Sequence, residues 1–211
     1  MKKYVLIDDQ IKKYKKKINV SADKSLSIRW VLMAAQAVGK SIAYNLLNSE
    51  DVNNSLIAVK KLGVKVIKKK NLCQINGVGL NGFSLKNNTV IDAGNSGTLA
   101  RLIIGVLAKS NKTIVLKGDK SLSKRDFSRV IKPLKKFGLS FKSNKNNLPL
   151  KFKGTNYLSP IQYEELKGSA QVKSSILLAA LNTPGKTKVR CFPSRDHTER
   201  LFKFLNLPIK I

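Results

Sequence analysis

The chain has 211 residues, 42% of them hydrophobic and 7% aromatic, which is ordinary for a globular protein with one sizeable core or two small ones. Its formal charge of +29 is typical of a protein that binds an acidic partner. The excess is lysine spread along the chain, however, and we interpret it as a solvated surface. Apolar runs stay below the roughly 18 residues of a membrane span, and Asp8 and Asp9 stand where a signal peptide would be apolar, so we expect a cytoplasmic protein with no membrane partner.

The first predicted helix covers residues 22–40, where small polar residues lead into an apolar segment. This order is typical of a helix start, whose exposed backbone N–H groups also attract anions. A second helix is predicted over 49–66, with an early Asp51 and a stop at Gly63, and a strand-like stretch follows at 72–80.

The same order of elements returns further along the chain. A helix entered through GNSG is predicted over 94–110, and a second helix over 124–141 has its stop at Gly138. Strand-like residues then occupy 148–154. The repetition indicates a duplicated supersecondary unit.

A third copy starts with a helix over 168–183 and continues with one over 194–211, which has its stop at Asn206, but no strand-like stretch follows it. Ser25, Gly97 and Ser169 lie 72 residues apart, a fixed period that favours repeated units. The unit is β-α-β-α-β-β, present twice in full and once cut short. We therefore predict an α/β (α+β) fold with the apolar first helices inside and the strands outside.

The three helix entries predict a binding site. Three buried helices packed side by side would direct three positive dipole ends at one place, which would hold a polyanion. Arg29, Arg125 and Arg195 lie at these entries and would offer bidentate contacts to phosphate or carboxylate from the rim of the site. Arg101 lies deeper in its helix, and we interpret it as structural.

The sequence contains no clear motif for a metal or a cofactor. Cys73, Cys191 and the single histidine, His197, lack the spacing of a zinc site or a disulfide framework, so no metal and no cofactor are expected. We interpret His197 as a hydrogen-bonded polar residue rather than a catalyst. Asp119 is interpreted as a turn residue or as the partner of a nearby cation.

Five ordered segments carry a resemblance to a known family: DKSLSIR, GNSGTLAR, GDKSLSKRD, GSAQVKS and SRDHTER. In this order and spacing they resemble the N-terminal half of the 3-phosphoshikimate 1-carboxyvinyltransferase (5-enolpyruvylshikimate-3-phosphate synthase) family. The resemblance implies a two-domain enzyme of the shikimate pathway, in which each domain has three βαβαββ units and the reaction occurs in the cleft between them. It implies transfer of the enolpyruvyl group of phosphoenolpyruvate to the 5-hydroxyl of shikimate 3-phosphate, with release of phosphate, for aromatic amino acid biosynthesis.

The resemblance also implies domains and site residues. Residues 1–20 would be a crossover segment, and 21–211 would be one domain with an incomplete third unit. The residues implied for phosphoenolpyruvate are Lys24, Gly97, Arg125 and Gln171. Those implied for shikimate 3-phosphate are Lys24, Ser25, Arg29, Ser169, Gln171 and Arg195. Lys24 is the candidate catalytic residue because it is the only proton donor or acceptor in the set that the chemistry could use near the double bond.

Other interpretations stay open at this stage. A sister enolpyruvyl transferase acting on a nucleotide sugar would share the architecture, but it would be expected to have Asn in place of Ser25 and often a cysteine in 118–126. A basic nucleic-acid-binding module would explain the charge of +29. The acidic residues that the family uses for proton transfer belong to the other half, so we expect the chain to be inactive alone. It would need the missing C-terminal domain in cis or in trans.

Overall fold

The computed structural model describes residues 6, 9–10, 13, 15–18 and 20–211. The interpretation of 1–20 as a crossover segment falls partly on residues outside this set, and the described residues there lie in neither a helix nor a strand. In the described part of the chain, no helix combines the length and the apolar character that crossing a membrane requires.

Helices and strands alternate along the described chain. The helices are α1 (Lys24–Gln36), α2 (Glu50–Lys61), α3 (Gly97–Val106), α4 (Ser128–Lys136), α5 (Ala170–Ala180) and α6 (His197–Phe204). The strands are β1 (Val38–Tyr44), β2 (Lys65–Lys68), β3 (Leu72–Val78), β4 (Thr89–Asp92), β5 (Thr113–Lys117), β6 (Ser140–Lys142), β7 (Leu150–Lys153), β8 (Gln162–Glu165) and β9 (Lys188–Cys191).

The strands form three small sheets, one for each repeat unit. Their orders are β1-β3-β2, β4-β5-β7-β6 and β8-β9. The second unit is complete: β4 and β5 are parallel, and β7 pairs antiparallel with β5 and β6. Among the described residues the first unit has no strand before α1, and the third has none after α6. Within the described residues the second unit is therefore the one complete copy, and the expectation of two full copies stays a prediction, because several residues before α1 lie outside the described set.

The first helices of the three units form the interior. α3 packs against α5 and α1, and most residues of the three helices are buried. A Cβ on Gly105 would lie 2.2 Å from the carbonyl oxygen of Ser175, so only glycine allows α3 and α5 to approach this closely. α1 also packs against β3, and the burial of the three helices confirms that they form the interior, as predicted.

The helix starts correct the predicted period. The capping side chains are those of Asp23, Ser96 and Ser169, and each accepts a hydrogen bond from the backbone N–H three residues on. These caps lie 73 residues apart, because Ser25 is the second residue of α1 and Gly97 is the first residue of α3. The predicted spacing of 72 residues therefore joined Ser25, Gly97 and Ser169, which do not hold equivalent positions in their helices. A cap is defined by the hydrogen bond that it accepts, and several small polar residues compete for that role in sequence.

The predicted stops of the second helices are confirmed. Gly63, Gly138 and Asn206 have φ of 87°, 108° and 52°, in the left-handed region that favours glycine and asparagine. In each case the following N–H also bonds to a carbonyl five residues back, as from Val64 to Val59. The helices themselves end at Lys61, Lys136 and Phe204, which is earlier than predicted, since the residues after the stops are extended or coiled.

Candidate anion-binding site

An open pocket of about 380 Å³ lies at the start of α5. The residues that line it include Arg129, Lys167, Ser169, Gln171, Ser194 and Arg195. Ser169, Gln171 and Arg195 were predicted site residues, and the structure brings them together here. The described lining has three cations and no carboxylate, which is the charge pattern of an anion site.

Gln171 is held in one orientation by α3. Arg101 donates from Nη1 to Gln171 Oε1 over 2.8 Å, and Gln171 donates from Nε2 to Thr98 Oγ1 over 3.0 Å. Because the arginine can only donate, it fixes which end of the amide is the acceptor. Arg101 is thus structural, as predicted, but what it supports is a side chain of the candidate site.

Arg101 belongs to a cluster of arginines. Burial lowers the pKa of its guanidinium, and the positive charges of Arg125 and Arg129 lower it further. The cluster lies near the start of α3, where the helix dipole adds positive potential. A bound anion would relieve the mutual repulsion of these side chains.

Gly97 and Arg125, two of the predicted site residues, are neighbours. A Cβ on Gly97 would lie 2.8 Å from Arg101 Nη1 and 3.1 Å from Arg125 Nη1. Both guanidiniums therefore use the space that a side chain at position 97 would fill. Arg125 itself is exposed, so it can meet a ligand at this point.

Arg29 is buried rather than on the rim, and this corrects the expected position. Only 4% of the residue is exposed. Its guanidinium donates to Thr198 Oγ1 over 2.7 Å, to Ser174 Oγ over 2.9 Å and to the Ser25 carbonyl oxygen over 3.0 Å. Burial lowers the pKa of Arg29, and the nearby positive charge of Arg195 lowers it further.

Lys24 and Ser25 occupy the first turn of α1. The Lys24 side chain is 52% exposed, and its Nζ lies 3.6 Å from the Asp51 carboxylate on α2. Lys24 does not line the pocket at the start of α5. Ser25 is half-buried and is connected to that region through the Arg29 hydrogen bond.

A buried carboxylate lies behind the pocket. Glu165 Oε1 accepts from Arg129 Nη2 over 2.8 Å, and Oε2 accepts from the backbone N–H of Ser169 over 2.6 Å. Burial raises the pKa of Glu165, but the hydrogen bonds from Ser169 and Arg129 outweigh it, so the carboxyl pKa lies below its usual range.

Two smaller predictions can be compared with the structure. Asp119 Oδ1 accepts from the Leu122 N–H over 2.6 Å, which confirms a turn role. His197 begins α6, and its Nδ1 is buried without a hydrogen-bond partner among the described residues, so its interpretation as a hydrogen-bonded residue is not supported.

Arg129, Ser194 and Glu165 were not among the predicted site residues. Arginine is scarce in this lysine-rich chain, so Arg129, four residues after Arg125, could have been recognised from that scarcity. Glu165 had no such signal, because Arg129 is brought to it by the packing of two units and the Ser169 N–H by the turn at Gly168.

Comparison with known proteins identifies the family of the chain. Residues 9–211 match a family model described as EPSP synthase (3-phosphoshikimate 1-carboxyvinyltransferase). The chain is 44% identical over 195 residues to a protein of that name from Ruthia magnifica subsp. Calyptogena magnifica, covering 92% of this chain and 45% of the relative. A relative of the same name from Zymomonas mobilis is 43% identical over 190 residues, covering 89% of this chain and 42% of the relative.

A solved structure gives the same result. EPSP synthase from Acinetobacter baumannii superposes with a TM-score of 0.87 at 37% identity, covering 93% of this chain and 45% of that one. The chain therefore spans about half the length of the curated relatives and solved structures that it matches.

Proposed function

Because the chain belongs to the EPSP synthase (3-phosphoshikimate 1-carboxyvinyltransferase) family, we propose that it supplies the half-site that binds shikimate 3-phosphate and part of the phosphoenolpyruvate site. In the complete enzyme, the 5-hydroxyl of shikimate 3-phosphate loses its proton as its oxygen bonds to the enol carbon of phosphoenolpyruvate, and the methylene carbon gains a proton. The tetrahedral intermediate then loses phosphate from the former enol carbon and a proton from the new methyl group, which restores the double bond in the enolpyruvyl ether.

The pocket at the start of α5 is the observation that carries this proposal. It combines three cations with the Ser169 hydroxyl and the Gln171 amide, on the opening turn of a helix. A sugar phosphate needs both charge neutralisation and hydroxyl recognition, and this set of groups offers both. Arg195 and Ser169 would hold shikimate 3-phosphate, with Arg29 and Ser25 on the α1 side.

The phosphoenolpyruvate contacts lie on the α3 side of Gln171. Gly97 leaves room for Arg125 beside Arg101, and this pair of guanidiniums would meet the carboxylate or phosphate of phosphoenolpyruvate. Gln171 is shared between the two ligands in this arrangement. The two substrates would therefore be held side by side, as the transfer requires.

Lys24 is the proposed proton donor or acceptor of this half. Its ion pair with Asp51 is partly exposed and 3.6 Å long, and such loose pairs contribute little to stability. The side chain can therefore leave Asp51 for a bound ligand at small energetic cost.

Turnover would require the rest of the enzyme, supplied in cis or in trans. The chain spans about 45% of the solved relative, and the family's reaction takes place in the cleft between two domains. No contact among the pocket residues favours a nucleotide-sugar substrate or a nucleic-acid partner.

Calorimetric titration of the 211-residue chain with shikimate 3-phosphate tests the proposal. We expect Arg195→Ala and Ser169→Ala to weaken binding by about 1–3 kcal/mol each, through loss of a charge-assisted or buried hydrogen bond. Arg190→Ala is the matched control, because it removes the same charge from a side chain that is 86% exposed and outside the pocket.

Ser169→Ala also removes a helix cap, so thermal melting must show that the variant is folded during the titration. Unchanged affinity in both site variants would contradict the assignment. Steeply salt-dependent DNA binding, with no response to shikimate 3-phosphate, would replace it with the nucleic-acid function.

A further inference from the structure

We propose that Glu165 is a positioning residue of the candidate site, and that it holds Ser169 and Arg129 in the arrangement that receives the ligand. This inference rests on the proposed function. Glu165 does not line the pocket, whereas both of its hydrogen-bond partners do. It acts through these two residues and touches no substrate.

The contacts of Glu165 show how it is fixed. The residue is 4% exposed, and each carboxylate oxygen has its own donor: Arg129 Nη2 at 2.8 Å and the Ser169 N–H at 2.6 Å. A buried carboxylate destabilises the fold unless it is paired and hydrogen-bonded. Moving Arg129 or Ser169 away from Glu165 would therefore cost free energy, and this restrains both residues. The position of Arg129 is thereby coupled to that of the Ser169 backbone.

The local sequence explains why Glu165 reaches Ser169. Glu165 is the last residue of β8, and Gly168, at φ 63°, turns the chain back so that the Ser169 N–H faces the carboxylate. The second unit has a related contact, in which Asp92 at the end of β4 accepts from the Gly94 N–H over 2.8 Å. Only the third unit's carboxylate is buried, and its second partner comes from α4 of the neighbouring unit.

The charges around Arg129 make the carboxylate necessary. Arg129 is close enough to Arg101 for its charge to lower the pKa of Arg101, and Arg125 acts in the same direction. Without the Glu165 carboxylate, Arg129 would be repelled by its neighbours and would turn into solvent. The start of α5 would also lose the hydrogen bond that the Ser169 N–H donates to Glu165 Oε2.

The test compares Glu165→Gln with Glu164→Gln in the 211-residue chain. Both substitutions remove one negative charge from β8, but the Glu164 side chain is 59% exposed and its pair with Arg190 is 3.6 Å long. We expect Glu165→Gln to weaken shikimate 3-phosphate binding roughly tenfold, the size of one lost charged hydrogen bond. Glu164→Gln should stay within about twofold of the wild type.

Two further measurements separate positioning from a merely structural role. Hydrogen exchange of the Ser169 amide should be faster in Glu165→Gln and unchanged in Glu164→Gln. Arg129→Ala should weaken binding too, and its effect should be less than additive with that of Glu165→Gln, because both remove the same contact.

The outcomes are distinguishable. A wild-type chain that does not bind shikimate 3-phosphate overturns the proposed function, and this role with it. If the wild type binds and the two glutamate variants bind equally well, only the Glu165 inference is overturned. A lower melting temperature for Glu165→Gln, with unchanged affinity of the folded protein, also overturns it.

Discussion

Gly97 is the residue at which a single added methyl group would reach the candidate phosphoenolpyruvate contacts. A Cβ there would lie 2.8 Å from Arg101 Nη1 and 3.1 Å from Arg125 Nη1, and both are ends of flexible side chains. We therefore expect Gly97→Ala to leave the fold intact and to displace the two guanidiniums. In the completed enzyme, the KM for phosphoenolpyruvate should rise more than that for shikimate 3-phosphate, as steady-state kinetics would show.

The matched control for Gly97→Ala is Gly105→Ala on the same helix. There the added Cβ would meet the backbone of Ser175 at 2.2 Å, which cannot move aside. This variant should lose about 1–3 kcal/mol of unfolding free energy. Equal KM changes for both substrates in Gly97→Ala would contradict the assignment of Gly97.

Glu165 also gives the protein a specific response to acid. Its carboxyl pKa is lower in the folded chain than in the unfolded one, so its contribution to stability is complete above the ordinary value of about 4.3. That contribution is lost as the pH falls from there through the lowered pKa. Urea unfolding should show Glu165→Gln less stable than the wild type at neutral pH, with the difference narrowing below about pH 4.3. A difference that is constant with pH would show that the charge of Glu165 is not involved.

The contact between α5 and α6 depends on a buried ion pair. Lys173 and Glu199 are 6% and 8% exposed and form a close salt bridge. Lys173→Met leaves the Glu199 carboxylate buried without its main partner, which costs about 3–5 kcal/mol in such pairs. The nearby charge of Arg29 compensates part of this loss.

A double-mutant cycle in urea measures this contact. Lys173→Met combined with Glu199→Leu should recover much of the stability lost in the single variant, because no charge remains buried. Arg190→Met, which breaks the exposed pair with Glu164, should change the unfolding free energy by less than about 1 kcal/mol. If the losses of unfolding free energy in the two single variants simply added in the double variant, the pairing of Lys173 with Glu199 would be contradicted.

At the scale of elements, the sequence predicted the features that depend on neighbouring residues. Gly63 and Gly138 could be identified as helix stops because a left-handed residue after an apolar helix favours glycine. The predicted cap of α1 was two residues too late because Asp23 and Ser25 are both good capping residues. Only the hydrogen bond from the Leu26 N–H to Asp23 Oδ1 decides between them.

The site was predictable where its residues lie on helix entries, and unpredictable where two units meet. Ser169 and Arg195 could be placed by their local pattern and by the family resemblance. The bond from Arg101 to Gln171 joins residues 70 positions apart, and that from Arg129 to Glu165 joins residues 36 apart. Such contacts depend on how the units are rotated against each other, which hydrophobic periodicity does not encode.

For the whole molecule, the share of its relatives that the chain spans leads to a functional prediction. The chain spans 45% of the solved relative's length, and the proposed reaction needs groups from both halves. We expect no release of phosphate from phosphoenolpyruvate and shikimate 3-phosphate by the 211-residue chain alone. Activity should appear when the C-terminal half of a relative is added in cis or in trans.

The control for this assay is a completed enzyme that carries Lys24→Ala. It should fold with an unchanged melting temperature, since Lys24 is half-exposed, and turn over about a hundredfold or more slowly. Robust turnover by the 211-residue chain alone would show that the half-site argument is wrong.

Each of the three helix entries belongs to a different repeat unit, so the predicted site residues come from all three units. A ligand that contacts all three entries therefore binds only to chains in which the units are docked, and it acts as a clamp on their assembly. By mass action, a ligand at a hundred times its dissociation constant adds about 2.7 kcal/mol to the free energy of unfolding. The supply of such a ligand would then govern how long the chain survives proteases, so ligand concentration would influence the abundance of the protein.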